Sequence, residues 1–453
     1  MAAVECAFPS LPLCCTLDIF ERLTCWERLR ARAVSRAWRA TLSNGLLWRD
    51  VNLSRGVRGE EEYANAAFLT AVGRVANGHI TRLDFSGQVS RDDQTAGVSR
   101  KELLHAFLAA NTGTLRHLVL RCDEMSTEEA RAFFERTPRE VERVEMDVEC
   151  FHDEAKPLLC CEAPFESLRL QSLHVSGRRN ENGHALPFYV FPNESALSLA
   201  RDLARCACLK ELMLNNAPLH VPLVWEALSV ACLKLTDLFL DACRLDPRSV
   251  PGLILLLSEG CLTRLLIDNC PDTGVFAGPL FDEPSGIAFG DALRANKKLK
   301  ALILNNVRLW DVLPAGVAVI NGLVGHATLR ALHLNFDKIA VESRQMVGDV
   351  FGQLIAVQSA LEFLRLVHLD LSDVGLRPLI QALPGNENLG ELLVFCLNDD
   401  DICRSEFAVE VLEAVRQNTS LRNLCFGTSK IPELNAADAF VSQRSQDQHA
   451  SRS

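Results

Sequence analysis

Apolar residues along this chain follow two different periods, and the longer stretch repeats. From residue 80 to residue 421 they recur as Leu-x-x-Leu-x-Leu, most clearly from Leu115, Leu209, Leu235, Leu262, Leu299, Leu329 and Leu366, with weaker copies from Ile80, Val141, Leu170, Leu389 and Leu421. The alternating second half of each copy predicts a short strand with one buried face. After the strand comes a slot held by Asn216, Cys243, Cys270, Asn306 or Val374, where an asparagine or cysteine can satisfy backbone groups at a turn. Stretches between copies, such as 290–296 and 411–418, space their apolar residues by three and four and so predict helices. A single strand-helix unit cannot bury its apolar face, whereas stacked units share one core. The pattern therefore predicts an α/β solenoid with a curved parallel sheet inside and helices outside. The twelve starts lie 23 to 39 residues apart, and the wider gaps call for insertions.

Residues 8–52 lack that repeat. Leu17, Phe20 and Leu23 share one helical face, as do Leu29, Ala33 and Ala37, which predicts a small module of short packed helices. So small a module cannot enclose all its Leu, Ile, Phe and Trp side chains, so another chain is expected to cover some of them. Residues 53–75 read as a connecting helical segment, and 76–434 as the solenoid of about twelve repeats. Segments 177–196 and 271–290, broken by glycine and proline, read as inserted loops. Residues 435–453 are polar and aperiodic and are expected to be disordered.

Composition narrows the possible partners. With a net charge of −11 and no aromatic-interleaved basic run, the chain is not expected to bind nucleic acid. Charge is uneven, since residues 18–58 carry nine arginines against Asp18, Glu21, Glu27 and Asp50. Such a patch can steer an acidic protein partner, or it can be a solvated helix face. The seventeen cysteines are dispersed through apolar positions without zinc-binding spacing or a signal peptide. Reduced thiols in a cytoplasmic or nuclear protein are the expectation. No run is long and apolar enough to span a membrane, and no membrane partner is expected. No phosphate loop, nucleophile elbow or paired metal-binding histidines occur, so neither catalysis nor a cofactor nor a metal is expected.

Two family resemblances sit on these residues. The helical halves, with Ala-Leu-x-x-Asn-x-x-Leu at Ala292–Leu299 and close variants at Ala382–Leu389 and Ala414–Leu421, resemble the ribonuclease-inhibitor-like class of leucine-rich repeats. At the N-terminus, Leu11-Pro12, Ile19-Phe20, Leu23, Leu29, Val34-Ser35-Arg36, Trp38 and Leu47-Trp48-Arg49 follow one another in the order and spacing of the F-box, which 8–52 resembles. The segment after the proline, Leu13-Cys14-Cys15-Thr16, lacks the acidic residue usual there. The resemblance implies a three-helix module docking on a Skp-family adaptor, and through it a cullin. Leu11, Pro12, Ile19, Phe20 and Leu23 are the implied anchors, with Val34, Trp38, Leu47 and Trp48 shared between contact and core.

If the strands stack in register, the residue between the second and third apolar positions points out of the sheet's open face. That column runs Asp84, Val119, Glu145, His174, Met213, Phe239, Leu266, Ile303, His333, Asp370, Leu393 and Cys425. Met213, Phe239, Leu266 and Ile303 form an apolar stripe, rimmed by acids and amides that include Asp241, Asp268 and Asn305. A hydrophobic protein segment with basic flanks would complement it. Together the two regions imply a substrate-recognition adaptor of an SCF-type ubiquitin ligase; a repeat scaffold without a degradative role is the alternative.

Overall fold

The computed structural model describes residues 12–53, 66–76, 78–85, 100–121, 136–148, 169–177, 208–215, 232–243, 245–268, 279–335, 339–357, 360–368, 371–395, 405–426 and 439–443, with isolated positions such as Trp225 and Ala437. They fall into two compact units, 1–176 with 205–209, and 177–204 with 210–453.

The first unit begins with three helices, α1 (Leu13–Glu21), α2 (Cys25–Ala31) and α3 (Arg36–Thr41), and a 3₁₀ turn, Gly45–Trp48. Local chemistry starts each of the later ones. Thr24 and Glu27 form a reciprocal capping box at the start of α2, Ser35 Oγ accepts from the Trp38 amide at 3.0 Å, and Asn44 Oδ1 accepts from the Leu46 amide at 3.0 Å. Phe20, Cys25, Ala31, Leu42, Leu47 and Trp48 make the core. The Trp48 indole donates to the Leu42 carbonyl at 2.7 Å.

The chain leaves this core directly into strand β1 (Asp50–Asn52). β1 pairs in parallel with β2 (Arg82–Phe85), Asp50 opposite Arg82 and Asn52 opposite Asp84. The strand array therefore starts at the end of the helical module and not at residue 76. Of the expected connecting segment 53–75, residues 54–65 lie outside the described residues, and the remainder holds most of helix α4 (Ala66–Ala76). Helix α5 (Arg100–Ala110) and strands β3 (His117–Arg121), β4 (Arg143–Val148) and β5 (Ser172–Gly177) complete the described elements of this unit. β2, β3 and β4 are parallel and in register.

The second unit holds parallel strands β6 (Glu211–Asn215), β7 (Asp237–Asp241), β8 (Arg264–Asp268), β9 (Ala301–Asn305), β10 (Ala331–Asn335), β11 (Phe363–Val367), β12 (Glu391–Phe395) and β13 (Asn423–Cys425), in sequence order. Helices α6 (Val250–Ser258), α7 (Glu283–Ala295), α8 (Leu313–Leu323), α9 (Arg344–Ala356), α10 (Ser372–Ala382) and α11 (Ser405–Gln417) alternate with them. The second and fourth residues of the five-residue strands are buried, as Leu238 and Leu240 or Leu302 and Leu304. The others face away from the helices, as the two-residue strand period requires. This is the α/β repeat solenoid expected from the pattern.

A buried asparagine joins successive repeats. Asn296 Nδ2 donates to the Leu257 carbonyl at 2.7 Å, while its Oδ1 accepts from the Lys298 and Leu299 amides. Asn386 does the same with Ile355, Asn388 and Leu389, and Asn418 with Leu383, Ser420 and Leu421. Each side chain thus satisfies a carbonyl at the end of the preceding repeat's helical half and the amides that lead into its own strand, groups otherwise stranded in the core. His326 takes the slot once, its Nδ1 accepting from Leu329 N at 3.1 Å.

Small residues set the helix spacing. A Cβ on Gly348 would lie 2.0 Å from the Gly375 carbonyl, and one on Gly290 2.3 Å from that of Ala318. α9 against α10, and α7 against α8, therefore meet backbone to backbone. Each strand's exit is left-handed where the slot is described. Ala242, Asn306 and His368 have φ of 51°, 52° and 55°.

Three further expectations change. The copy assigned to Leu366 starts instead at Leu361, because the strand contains Leu364 and Leu366 as its buried pair. Val374 accordingly lies in α10 and in no turn slot, the column position passes to Arg365, and Asp370 lies outside the described residues. Residues 283–290 of the expected loop 271–290 are helical instead, with Leu280 and Phe281 buried and Asp282 capping α7 through Ser285, while 271–278 lie outside the described residues. The tail expected to be disordered holds Ala437 and Val441, both fully buried, while 435, 436, 438 and 444–453 lie outside the described residues. The 177–196 segment lies outside the described residues, apart from Gly177 at the end of β5.

Candidate functional site

In the first unit, the module exposes part of what its sequence singles out and buries the rest. Leu11 lies outside the described residues; Pro12 is exposed at the start of α1. Ile19 is 38% and Val34 66% exposed, and so are two side chains not singled out, Leu13 at 62% and Leu46 at 53%. Phe20, Leu47 and Trp48 are instead core residues, each at most 4% exposed. Phe20 is held edge-on against the half-buried Trp38, ring centroids 5.3 Å apart. They cannot present side chains to a partner while the module stays folded. Leu23 is half-buried and lines a cleft of about 890 Å³ between α1, α2 and the first two strands, together with Leu17, Arg49 and Asp84.

The residue that sequence reading missed is Arg28. It is 7% exposed, and its guanidinium donates to the carbonyls of Phe20 at 2.9 Å, Glu21 at 2.7 Å and Leu47. One side chain thus ties the end of α1 to the 3₁₀ turn, and the Trp48 ring lies 6.0 Å from its guanidinium carbon. Burying a guanidinium is favourable only when its donors are satisfied, as three carbonyls do here. No sequence signal separates Arg28 from the eight other arginines between residues 18 and 58.

On the open face of the same unit, the column's Glu145 sits in an ionic cluster with the flanking residues. His117 Nε2 lies 2.9 Å and Arg143 Nε 3.0 Å from Glu145 Oε1. The His117 hydrogen bond, aided by the positive charge of Arg143, holds the Glu145 carboxyl down to about 2. Asp84, an exit-facing position of β2, is 10% exposed beside Arg82.

The second unit carries the apolar stripe. Met213 pairs with Phe239, Phe239 with Leu266, and Leu266 with Ile303 across consecutive strands, so the expected register holds residue for residue. All four are half-buried. The rim is more self-satisfied than a simple acidic border. Arg264 pairs with Asp237 and stacks over the Phe239 ring at 5.3 Å. Asn215 donates to Asp241 at 2.5 Å, and Asn305 and Asn306 donate to Asp268 at 3.3 and 2.8 Å. Beyond Ile303 the column continues through His333 to Arg365, the position wrongly given to Asp370. Burial, with Arg365 alongside, lowers the His333 pKa against the opposing pull of Asp268.

Among the described residues no group of three or more His, Cys, Asp or Glu is placed to hold a metal ion, and no helix is long and apolar enough to cross a membrane.

Residues 8–54 match the F-box-like family model, and that domain implies binding of a Skp-family adaptor. No curated protein matches the chain in sequence. Among solved structures, the tropomodulin C-terminal domain of Caenorhabditis elegans is 17% identical with a TM-score of 0.31, covering 38% of this chain and 98% of that one. The actin-binding site 2 of leiomodin-1 is 17% identical with a TM-score of 0.26, covering 42% and 84%. At these scores neither match bears on fold or function. The fold rests on the strand ladders themselves.

Proposed function

We propose that this protein is a substrate-recognition subunit of an SCF-type cullin ubiquitin ligase, acting in the cytoplasm or nucleus. The F-box-like domain at 8–54 carries the reading. It is supported by Leu13, Ile19, Val34 and Leu46, large apolar side chains left exposed on a module whose own core is already filled; exposed apolar groups of this kind are covered in complexes. Pro12 and Leu13, with Ile19 and Val34, are the adaptor contacts, while Phe20, Leu47, Trp48 and Arg28 hold the shape that presents them.

The target binds the stripe Met213, Phe239, Leu266 and Ile303. The protein performs no bond-breaking chemistry of its own; it raises the effective concentration of a target lysine near a charged ubiquitin carrier. Co-precipitation tests both ends. Tagged full-length chain should retain a Skp-family adaptor, and Leu13→Asp with Val34→Asp should release it. With ligase activity blocked, Phe239→Asp with Leu266→Asp should lose captured proteins while keeping the adaptor. A parent chain that retains no adaptor sinks the ligase reading and leaves the scaffold alternative; captured proteins unchanged by the stripe variant sink the assignment of the target site.

A further inference from the structure

Among the described residues, the acids on the rim of the second unit's stripe are neutralised from within, and the column beyond it is not. Asp237, Asp241 and Asp268 all have partners on neighbouring strands or turns. Arg365 does not. Its Nε is shut off from solvent and hydrogen-bonded to nothing, and its guanidinium carbon lies over the face of Phe395, 5.4 Å from the ring centroid. A buried donor without an acceptor costs about 1–3 kcal/mol unless something supplies one. His333, its neighbour in the column, is half-buried and its protonation is disfavoured, so the strand pair offers one cationic charge and no acid.

We infer that Arg365 is an anchor for a single carboxylate on the bound segment. This rests on the reading of the stripe as the target site and adds the partner's chemistry. A half-buried guanidinium on an aromatic face is a fork for the two oxygens of an Asp or Glu side chain. One arginine beside a neutral histidine matches one negative charge, which favours a carboxylate over a phosphate.

Register fixes where that acid must lie. Ile303, His333 and Arg365 are opposite one another on β9, β10 and β11. At about 4.8 Å per strand, Arg365 is roughly 10 Å from Ile303 and roughly 24 Å from Met213. An extended chain advances about 3.3 Å per residue, so a segment crossing the strands places its acid about three residues past its last apolar contact and about seven past its first. At the other end, Asn215 Oδ1 is a buried acceptor without a donor, and it suits an amide or a basic side chain of the same segment.

Selection of a displayed library of random twelve-residue segments on immobilised full-length chain tests this, run in parallel on Arg365→Gln and Arg365→Glu. The parent should enrich segments with an apolar run followed by Asp or Glu about three residues on. Arg365→Gln should lose the acid and keep the apolar run, and Arg365→Glu should replace the acid by Lys or Arg. Thermal melting unchanged from the parent certifies that both variants fold, and Arg365→Lys, which keeps the charge, should keep the acid preference in part. Apolar segments without a positioned acid, or an acid retained on Arg365→Gln, overturn the inference while leaving the stripe reading intact. Segments that ignore the stripe, or no enrichment at all, overturn both. A phosphoserine peptide preferred at least tenfold over its glutamate counterpart overturns the choice of carboxylate.

Discussion

Replacing Asn386 by alanine should cost the second unit about 3 kcal/mol. The side chain is 3% exposed and makes three hydrogen bonds, to Ile355 O at 2.7 Å and from the Asn388 and Leu389 amides at 3.0 and 2.7 Å. Each is worth about 1 kcal/mol net, and the alanine variant also leaves two amides and a carbonyl in the core with nothing to bond. At roughly 2–4 °C per kcal/mol for a domain of this size, the melting temperature should fall by about 6–12 °C. Because a repeat array can open piecemeal, amide exchange of β12 is the sharper assay, and Leu389 should lose protection first. Asn386→His supplies the control, since His326 fills the same slot and accepts from the Leu329 amide; it should cost about 1 kcal/mol. A loss below about 1 kcal/mol for Asn386→Ala, or equal losses for Ala and His, would refute the view that this amide holds adjacent repeats together.

Burial, with Lys297 adding to it, lowers the His326 pKa. Its contribution should therefore be complete above the unfolded value near 6.5 and shrink as pH falls below it, by at most about 1.4 kcal/mol per unit. His326→Asn should remove that slope, so an unchanged parent-variant stability difference between pH 7.5 and 5.5 in chemical denaturation would contradict it. Gly348→Ala places a methyl 2.0 Å from the Gly375 carbonyl and should destabilise by about 1–3 kcal/mol. Gly385→Ala, with nothing within 4 Å, should be nearly neutral by the same melt. Arg28→Met should unfold the N-terminal module by stranding the Phe20, Glu21 and Leu47 carbonyls, visible as lost adaptor binding together with lost near-ultraviolet signal from Trp48. Val34→Asp should lose the adaptor and keep that signal.

The repeat was legible because strand period and burial impose the same leucines in every unit, and the register of Met213 through Ile303 followed without adjustment. It missed the short β1 before residue 76 and failed at Leu361-Glu362-Phe363-Leu364-Arg365-Leu366-Val367-His368-Leu369-Asp370-Leu371, where two overlapping copies of the motif fit. Spacing alone does not choose between them. The strand does, by ending at the left-handed His368. Anchor residues in the helical module were harder, since an apolar side chain at helical spacing reads alike whether it fills the core, as Phe20 does, or faces out, as Leu13 does. Arg28 was invisible for the opposite reason, because a buried guanidinium depends on carbonyls brought together only in the fold. In the tail, composition hid Ala437 and Val441, two small apolar residues that are buried.

Calorimetric titration of purified full-length chain with a purified Skp-family adaptor decides whether residues 8–54 are a dock. A saturable one-to-one complex of micromolar affinity or tighter is expected. The Leu13→Asp, Val34→Asp variant should weaken it at least about tenfold, equivalent to ~1.4 kcal/mol, at an unchanged melting temperature. Absence of binding by the folded parent, or equal binding by the variant, would contradict the proposal that these exposed side chains join this protein to a ubiquitin ligase.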